Sequence, residues 1–185
     1  MEWTLPGTVL QIPQKDAAHI RQVFSSLFLG GGIVLSQVSG ITGLEAYTVQ
    51  NWVKRGFLPA PEKKRYSLRQ LCRIININML KGVLPMERIC SLLAYINGHL
   101  DDESDDMIDD SQLYFMFVEL AMQVRTLTDD AAREEALRGI LSNYREPVPG
   151  ARERVETVLG IMLTGYLAAK LQQQTEIMLN QIRSE

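Results

Sequence analysis

The chain has 185 residues, 46% of them hydrophobic, and 19 Lys and Arg against 22 Asp and Glu give a formal net charge of −3. That length suits about one domain plus an appendage, and that apolar content excludes a disordered chain. A net negative charge argues at first sight against a nucleic-acid partner, but the argument holds only if the charges are evenly mixed.

Residues 16–29 read as an amphipathic helix: Asp16 can cap it, and Ile20, Val23, Phe24, Leu27 and Phe28 follow the i, i+3, i+4, i+7, i+8 stripe. Gly30-Gly31-Gly32 is expected to stop it or form a hinge, since a phosphate-cradling loop needs a preceding strand and a following Gly-Lys-Ser/Thr. Two short helices are predicted over 35–41 and 45–55, joined by Thr42-Gly43-Leu44, and Pro59 and Pro61 make 56–66 a loop or small β-wing. Ser67-Leu68-Arg69-Gln70 fits a capping box and opens a helix that runs to about Leu80. Lys81-Gly82-Val83-Leu84 breaks the chain before a helix from Pro85 to about Ile96.

Residues 98–110 are expected to form an acidic, solvated linker. Apolar residues almost all round predict a buried helix over 111–127. A shorter amphipathic helix is predicted over 130–144 and a long one over about 152–183, with Gly160 and Gly165 allowing close helix contact. Outside the wing no strand is predicted. The expected organisation is therefore an N-terminal arm and helix (1–34), a module over 35–97, a linker (98–110) and a C-terminal helical region (111–185).

Charge follows this division. Residues 35–97 hold nine Lys or Arg and three Glu, or +6, and residues 98–110 hold seven carboxylates with no Lys or Arg, or −7. Asymmetry of this kind points to an interaction surface. The module reads as a helix-turn-helix: Gly43 serves the tight turn, Ser39 lets the helices approach, and Val38, Leu44, Val49 and Trp52 are spaced to bury against each other. Tyr47, Gln50, Asn51 and Lys54 then share the outer face of the second helix. Gln and Asn can bond adenine edges in a major groove, and Lys and Tyr can reach phosphates or bases. Arg55 and the run Lys63-Lys64-Arg65 beside that helix suit flanking phosphates.

Leu35 to about Leu93 resembles the DNA-binding domain of MerR-type winged-helix regulators, in the Val38-to-Trp52 pair, Lys54-Arg55-Gly56-Phe57-Leu58-Pro59, Tyr66-Ser67 and Lys81-Gly82. It is more closely similar to a bacterial family, domain of unknown function 1836, in Tyr47 to Lys54, in Pro61-Glu62-Lys63-Lys64-Arg65-Tyr66-Ser67, and in Ile74-Ile75 with Leu80-Lys81. The MerR resemblance implies a mainly all-α protein, a winged helix-turn-helix followed by a helical bundle, that binds double-stranded DNA, usually as a dimer. Tyr47, Gln50 and Asn51 would read bases, Lys54, Arg55, Lys63, Lys64 and Arg65 would fix register, and the wing residue Tyr66 is expected among the DNA-binding residues. It departs from the MerR pattern at Gln50, Asn51 and Lys64.

Other functions find less support. No nucleophile, base and orienter assemble at catalytic spacing, so no enzyme is expected, and no cofactor or metal is expected from Cys72 and Cys90, which read as small core residues. Met1-Glu2-Trp3 lacks the positive start of a secretory signal. The apolar stretch between Glu156 and Lys170 spans 13 residues, short of the roughly 20 of a membrane span, so a cytoplasmic protein without a membrane partner is expected. The apolar C-terminal helices are expected to form a homodimer or to hold a small-molecule or protein effector. The alternative function is a protein-interaction adaptor on the same fold, with the basic face turned to an acidic partner.

Overall fold

In a computed structural model of the chain, the described residues are 2–13, 16, 19–100, 102–123 and 130–182. Among them lie eight α-helices and two short antiparallel strand pairs. The elements are β1 (Glu2–Thr4), β2 (Gln11–Pro13), α1 (Ile20–Leu27), β3 (Ile33–Val34), α2 (Leu35–Thr42), α3 (Ala46–Lys54), β4 (Arg65–Tyr66), α4 (Leu68–Leu80), α5 (Met86–Asn97), α6 (Asp110–Gln123), α7 (Asp130–Ile140) and α8 (Ala151–Ile182). A single 3-10 turn at Glu103–Asp105 precedes α6. None of the described helices is long and apolar enough to cross a membrane.

Helix α4 sits at the centre. Every residue from Leu71 to Ile77 is buried, because α4 packs on α6 along one side and meets α2, α5 and α8 on others. Its start is the expected capping box: Gln70 donates its backbone N–H to Ser67 Oγ at 3.2 Å, and the Ser67 N–H returns to Gln70 Oε1 at 2.8 Å. Helix α6 buries an unbroken run from Leu113 to Val118. Its Tyr114 and Phe115 rings lie 6.0 Å from Phe24 of α1, and Phe117 meets Tyr166 of α8 edge-on at 5.6 Å. Burying side chains of this size contributes about 1.5–3 kcal/mol each. The close approach expected of Gly165 is present, since a Cβ there would stand 2.8 Å from Leu80 Cδ2.

Three expectations need correction. The N-terminal arm carries strands that the sequence pattern did not show: β1 pairs with β2 in the register Trp3↔Ile12. Three-residue strands are too short for visible alternation, and this hairpin is held by its turn. Gly7, at φ 71, lies so close to α4 that a Cβ would meet Ile75 O at 2.5 Å. Asn78 Nδ2 donates to both Gly7 O and Thr42 O at 2.9 Å, and Tyr114 OH donates to Pro6 O at 3.1 Å. Helix α1 starts at Ile20, not at Asp16.

The third correction concerns residues 98–110, which are not a solvated spacer. Ile108 is buried, and the backbone N–H of Met107 bonds Ile96 O at 2.8 Å. One hydrophobic cluster runs from Trp3 through α4 and α6 to Tyr166, across all four expected parts of the chain. The tail of the predicted 111–127 helix, from residue 124, lies outside the described residues.

Candidate nucleic-acid interface

Helix α2 ends at Gly43, whose left-handed φ of 71 lets its N–H return to Ser39 O at 2.8 Å. Thr42 Oγ1 donates to Val38 O at 2.8 Å and accepts from the Leu44 N–H at 3.2 Å, so the turn is fixed by its own residues. Helix α3 follows with Glu45 as an extended N-cap. Val38, Leu44, Val49 and Trp52 are all buried, as their spacing predicts. The opposite side of α3 carries Tyr47, Gln50, Asn51 and Lys54, all exposed, with Tyr47 at 71% of its full area.

The segment after α3 is built on a tight reversal. The Arg65 N–H donates to Glu62 O at 2.8 Å, and the two residues between them, Lys63 (φ 48) and Lys64 (φ 64), are both left-handed. Positive φ at both central positions marks a type I′ reversal, a place that usually takes Asn-Gly. Arg65 bridges Glu62 within the loop, and β4 pairs with β3 in the register Ile33↔Tyr66. Gln70 Nε2 ties the approach to the turn by donating to Pro59 O at 3.2 Å and Ala60 O at 3.0 Å.

These contacts sort the expected site residues. Gln50 of α3 and Lys64 of the turn line one crevice of about 580 Å³, walled by Leu35, Val53 and Pro61. Lys63 and Arg65 line a different cleft, about 670 Å³, behind the turn with Arg69 and Gly32. The run of three cations thus borders two clefts, because a two-residue reversal turns successive side chains apart. Arg65 Nη1 donates to Gly32 O at 2.8 Å and so holds the glycine run against β4. Arg55 is shared between an ion pair to Glu87 at 3.3 Å and the face of Phe57, 4.5 Å from its centroid.

Tyr66 is 3% exposed, and burial raises its hydroxyl pKa. It lies beneath the turn, on the floor of the crevice lined by Gln50 and Lys64, and its burial fits support of that crevice better than the backbone contact expected of it. Strand alternation is the reason: Arg65 points outward, so Tyr66 points in.

The sequence pattern missed an ionic seam. Arg69 Nη2 lies 2.6 Å from Asp106 Oδ2, with Asp109 and Asp110 carboxylates at 3.8 and 3.9 Å from its Nε. Arg73 Nη1 lies 3.3 Å from Asp110 Oδ2, deep in the core, and Arg73 Nε donates to Phe57 O at 3.3 Å. Burial raises the Asp106 carboxyl to about 6 despite Arg69. Burial raises Asp110 as well, against the pull of Arg73 and then Arg69. The +6 and −7 segments therefore partly cancel inside the molecule. A signal existed: Arg69 and Arg73 stand one turn apart on a helix with no carboxylate of its own, and Asp106, Asp109 and Asp110 repeat at helical spacing.

Two comparisons with known proteins bear on the family. An uncharacterized protein of Bacillus subtilis (strain 168), YkrK, is 30% identical over 86 residues, a stretch covering 44% of this chain and 37% of that protein. This chain thus spans little more than a third of that relative's length. No solved structure matches. The family model described as Domain of unknown function (DUF1836) matches residues 19–117, which run from the cap of α1 through α3, the Lys63-Lys64 turn and the ionic seam into α6. With more than half of its length inside that match, the chain belongs to the DUF1836 family.

Proposed function

We propose that this protein binds double-stranded DNA and regulates transcription, as a winged helix-turn-helix of MerR-like form. In this reading α3 enters the major groove. Tyr47, Gln50 and Asn51 meet base edges there, and Lys54, Lys63 and Lys64 hold phosphates. The supporting observation is the crevice shared by Gln50 and Lys64, which sets the outer face of α3 beside the left-handed turn. A base-reading helix flanked by a cationic loop can follow a groove and the adjacent backbone together. Arg55 and Arg65 are already engaged with Glu87 and Gly32, so they fix the geometry of the module in place of reading register.

The apolar walls of the same crevice favour a second reading, a protein-interaction adaptor that seats a side chain of its partner there. Fluorescence anisotropy of the full chain on a labelled random-sequence duplex separates the two. With about three phosphates neutralised, log K falls against log salt with a slope near −2.7, and Lys63→Ala with Lys64→Ala reduces that slope by about 1.8. Absence of binding at low salt, or a slope unchanged in the double variant, rules out the DNA reading.

A further inference from the structure

The crevice between α3 and the left-handed turn carries more apolar surface than a DNA contact uses. Surfaces that meet a duplex are polar and strongly positive, yet this space of about 580 Å³ is walled by Leu35, Val53 and Pro61 and floored by Tyr66. Leu35 and Val53 are half-buried, and both border it. Phosphates crossing Gln50 and Lys64 offer those walls no apolar complement. The volume falls within the roughly 300–1,000 Å³ of small-molecule sites, which combine apolar walls with a few placed polar groups. Here the exposed polar side chains are Ser36, Gln50 and Lys64, and Lys64 is the single charged residue among those lining the crevice.

The backbone sets that charge in place. Lys63 lies 4.0 Å from Glu62 and borders the cleft behind the turn. Lys64, at φ 64, borders the crevice instead and makes no ion pair among the described residues. An Asn-Gly reversal would close the same turn without strain, and it would leave the crevice with no charge at all. Strain held at one side chain fits a ligand that this side chain meets.

We infer that the crevice is a binding site for a small organic anion with an apolar body, its carboxylate on Lys64 and Gln50 and its body against Leu35, Val53 and Pro61. The ammonium of Lys64 and the amide of Gln50 both donate hydrogen bonds, so the carboxylate is met at both oxygens. With one cation lining the site, a monoanion complements it, whereas a nucleotide or phosphate ester brings more charge than the crevice matches. A bound anion engages two of the side chains that meet DNA, one from α3 and one from the turn. The ligand is thus an effector that releases the duplex. That consequence rests on the DNA-binding reading; occupancy of the crevice does not.

Phenylbutyrate has the required form, and phenylbutanol keeps its body without the charge. Each is titrated into the full chain, without DNA, and followed by amide NMR. The acid is expected to shift the amides of Leu35, Val53 and Lys64 and to bind about fivefold more tightly than the alcohol. Lys64→Gln erases that preference and Lys64→Arg keeps it. The comparison of acid with alcohol is made on the wild type, so it does not depend on a variant folding. No shift at these amides, equal affinity for acid and alcohol, or a preference that survives Lys64→Gln overturns the proposal. Added to the duplex titration, the acid lowers the anisotropy and the alcohol does not. Acid bound in the crevice with the duplex still held overturns the effector role. A wild type that binds the acid but never the duplex overturns the DNA reading and leaves the site standing.

Discussion

Lys63 and Lys64 occupy backbone conformations that L-residues with a Cβ avoid, at about 1–2 kcal/mol each. Evolution of a stable turn alone would place glycine or asparagine there, and strain of this kind concentrates at sites where the side chain serves function. Replacing Lys64 by Gly separates the two demands. Stability to urea is expected to be unchanged or to rise by up to about 1 kcal/mol, because relief of the left-handed φ offsets the added chain entropy. Duplex affinity is expected to fall in the same variant. A Lys64→Gly protein that binds DNA as tightly as wild type would mean that the strained residue serves no backbone contact. Tyr66 makes the opposite point: adjacent to three cations and similar to a family contact residue, it is nonetheless core, because a strand alternates its faces.

At the scale of elements, the pair α4 and α6 is fastened by Arg73 and Asp110. Both side chains are almost completely removed from solvent, at 7% and 1% exposure. A buried ion pair adds little net stability over a well-packed apolar pair, but removing one partner strands the other charge. Asp110→Ala is therefore expected to destabilise the fold by about 3–5 kcal/mol, measured by chemical denaturation, whereas changes at the exposed Arg55–Glu87 pair cost less than about 1 kcal/mol. A loss at Asp110 no larger than at Glu87 would show that water reaches the seam. Most elements were legible: the capping box at Ser67, the turn at Gly43 and the buried faces of α2 and α3 all follow from local rules. The β1–β2 hairpin was not, because tertiary anchors such as Asn78 and Tyr114 hold it, and these lie far along the chain.

At the scale of the whole molecule, the region of residues 35–97 does not stand apart from the C-terminal helices. Helix α4 belongs to that region by sequence, yet its buried side faces α6 and α8, and the matched family span likewise continues through the seam to residue 117. Cutting the chain after Asn97 is expected to expose that face of α4. The fragment should keep helical far-UV dichroism, lose near-UV signal and bind a hydrophobic dye. A fragment with a sharp, cooperative melt would show instead that the module folds alone.

The sequence by itself determined the helices, the tight turn between α2 and α3, the outward row Tyr47, Gln50, Asn51 and Lys54, and the long last helix. Each depends on residues within a few positions of one another. Net charge misled twice, first as a mean of −3 and then as a +6 module beside a −7 linker. Only the tertiary structure decided which charges face solvent. Coulomb attraction acts through space: Arg69 and Arg73 spend their charge on carboxylates more than thirty residues away, and Lys63 and Lys64, adjacent in sequence, border two different clefts.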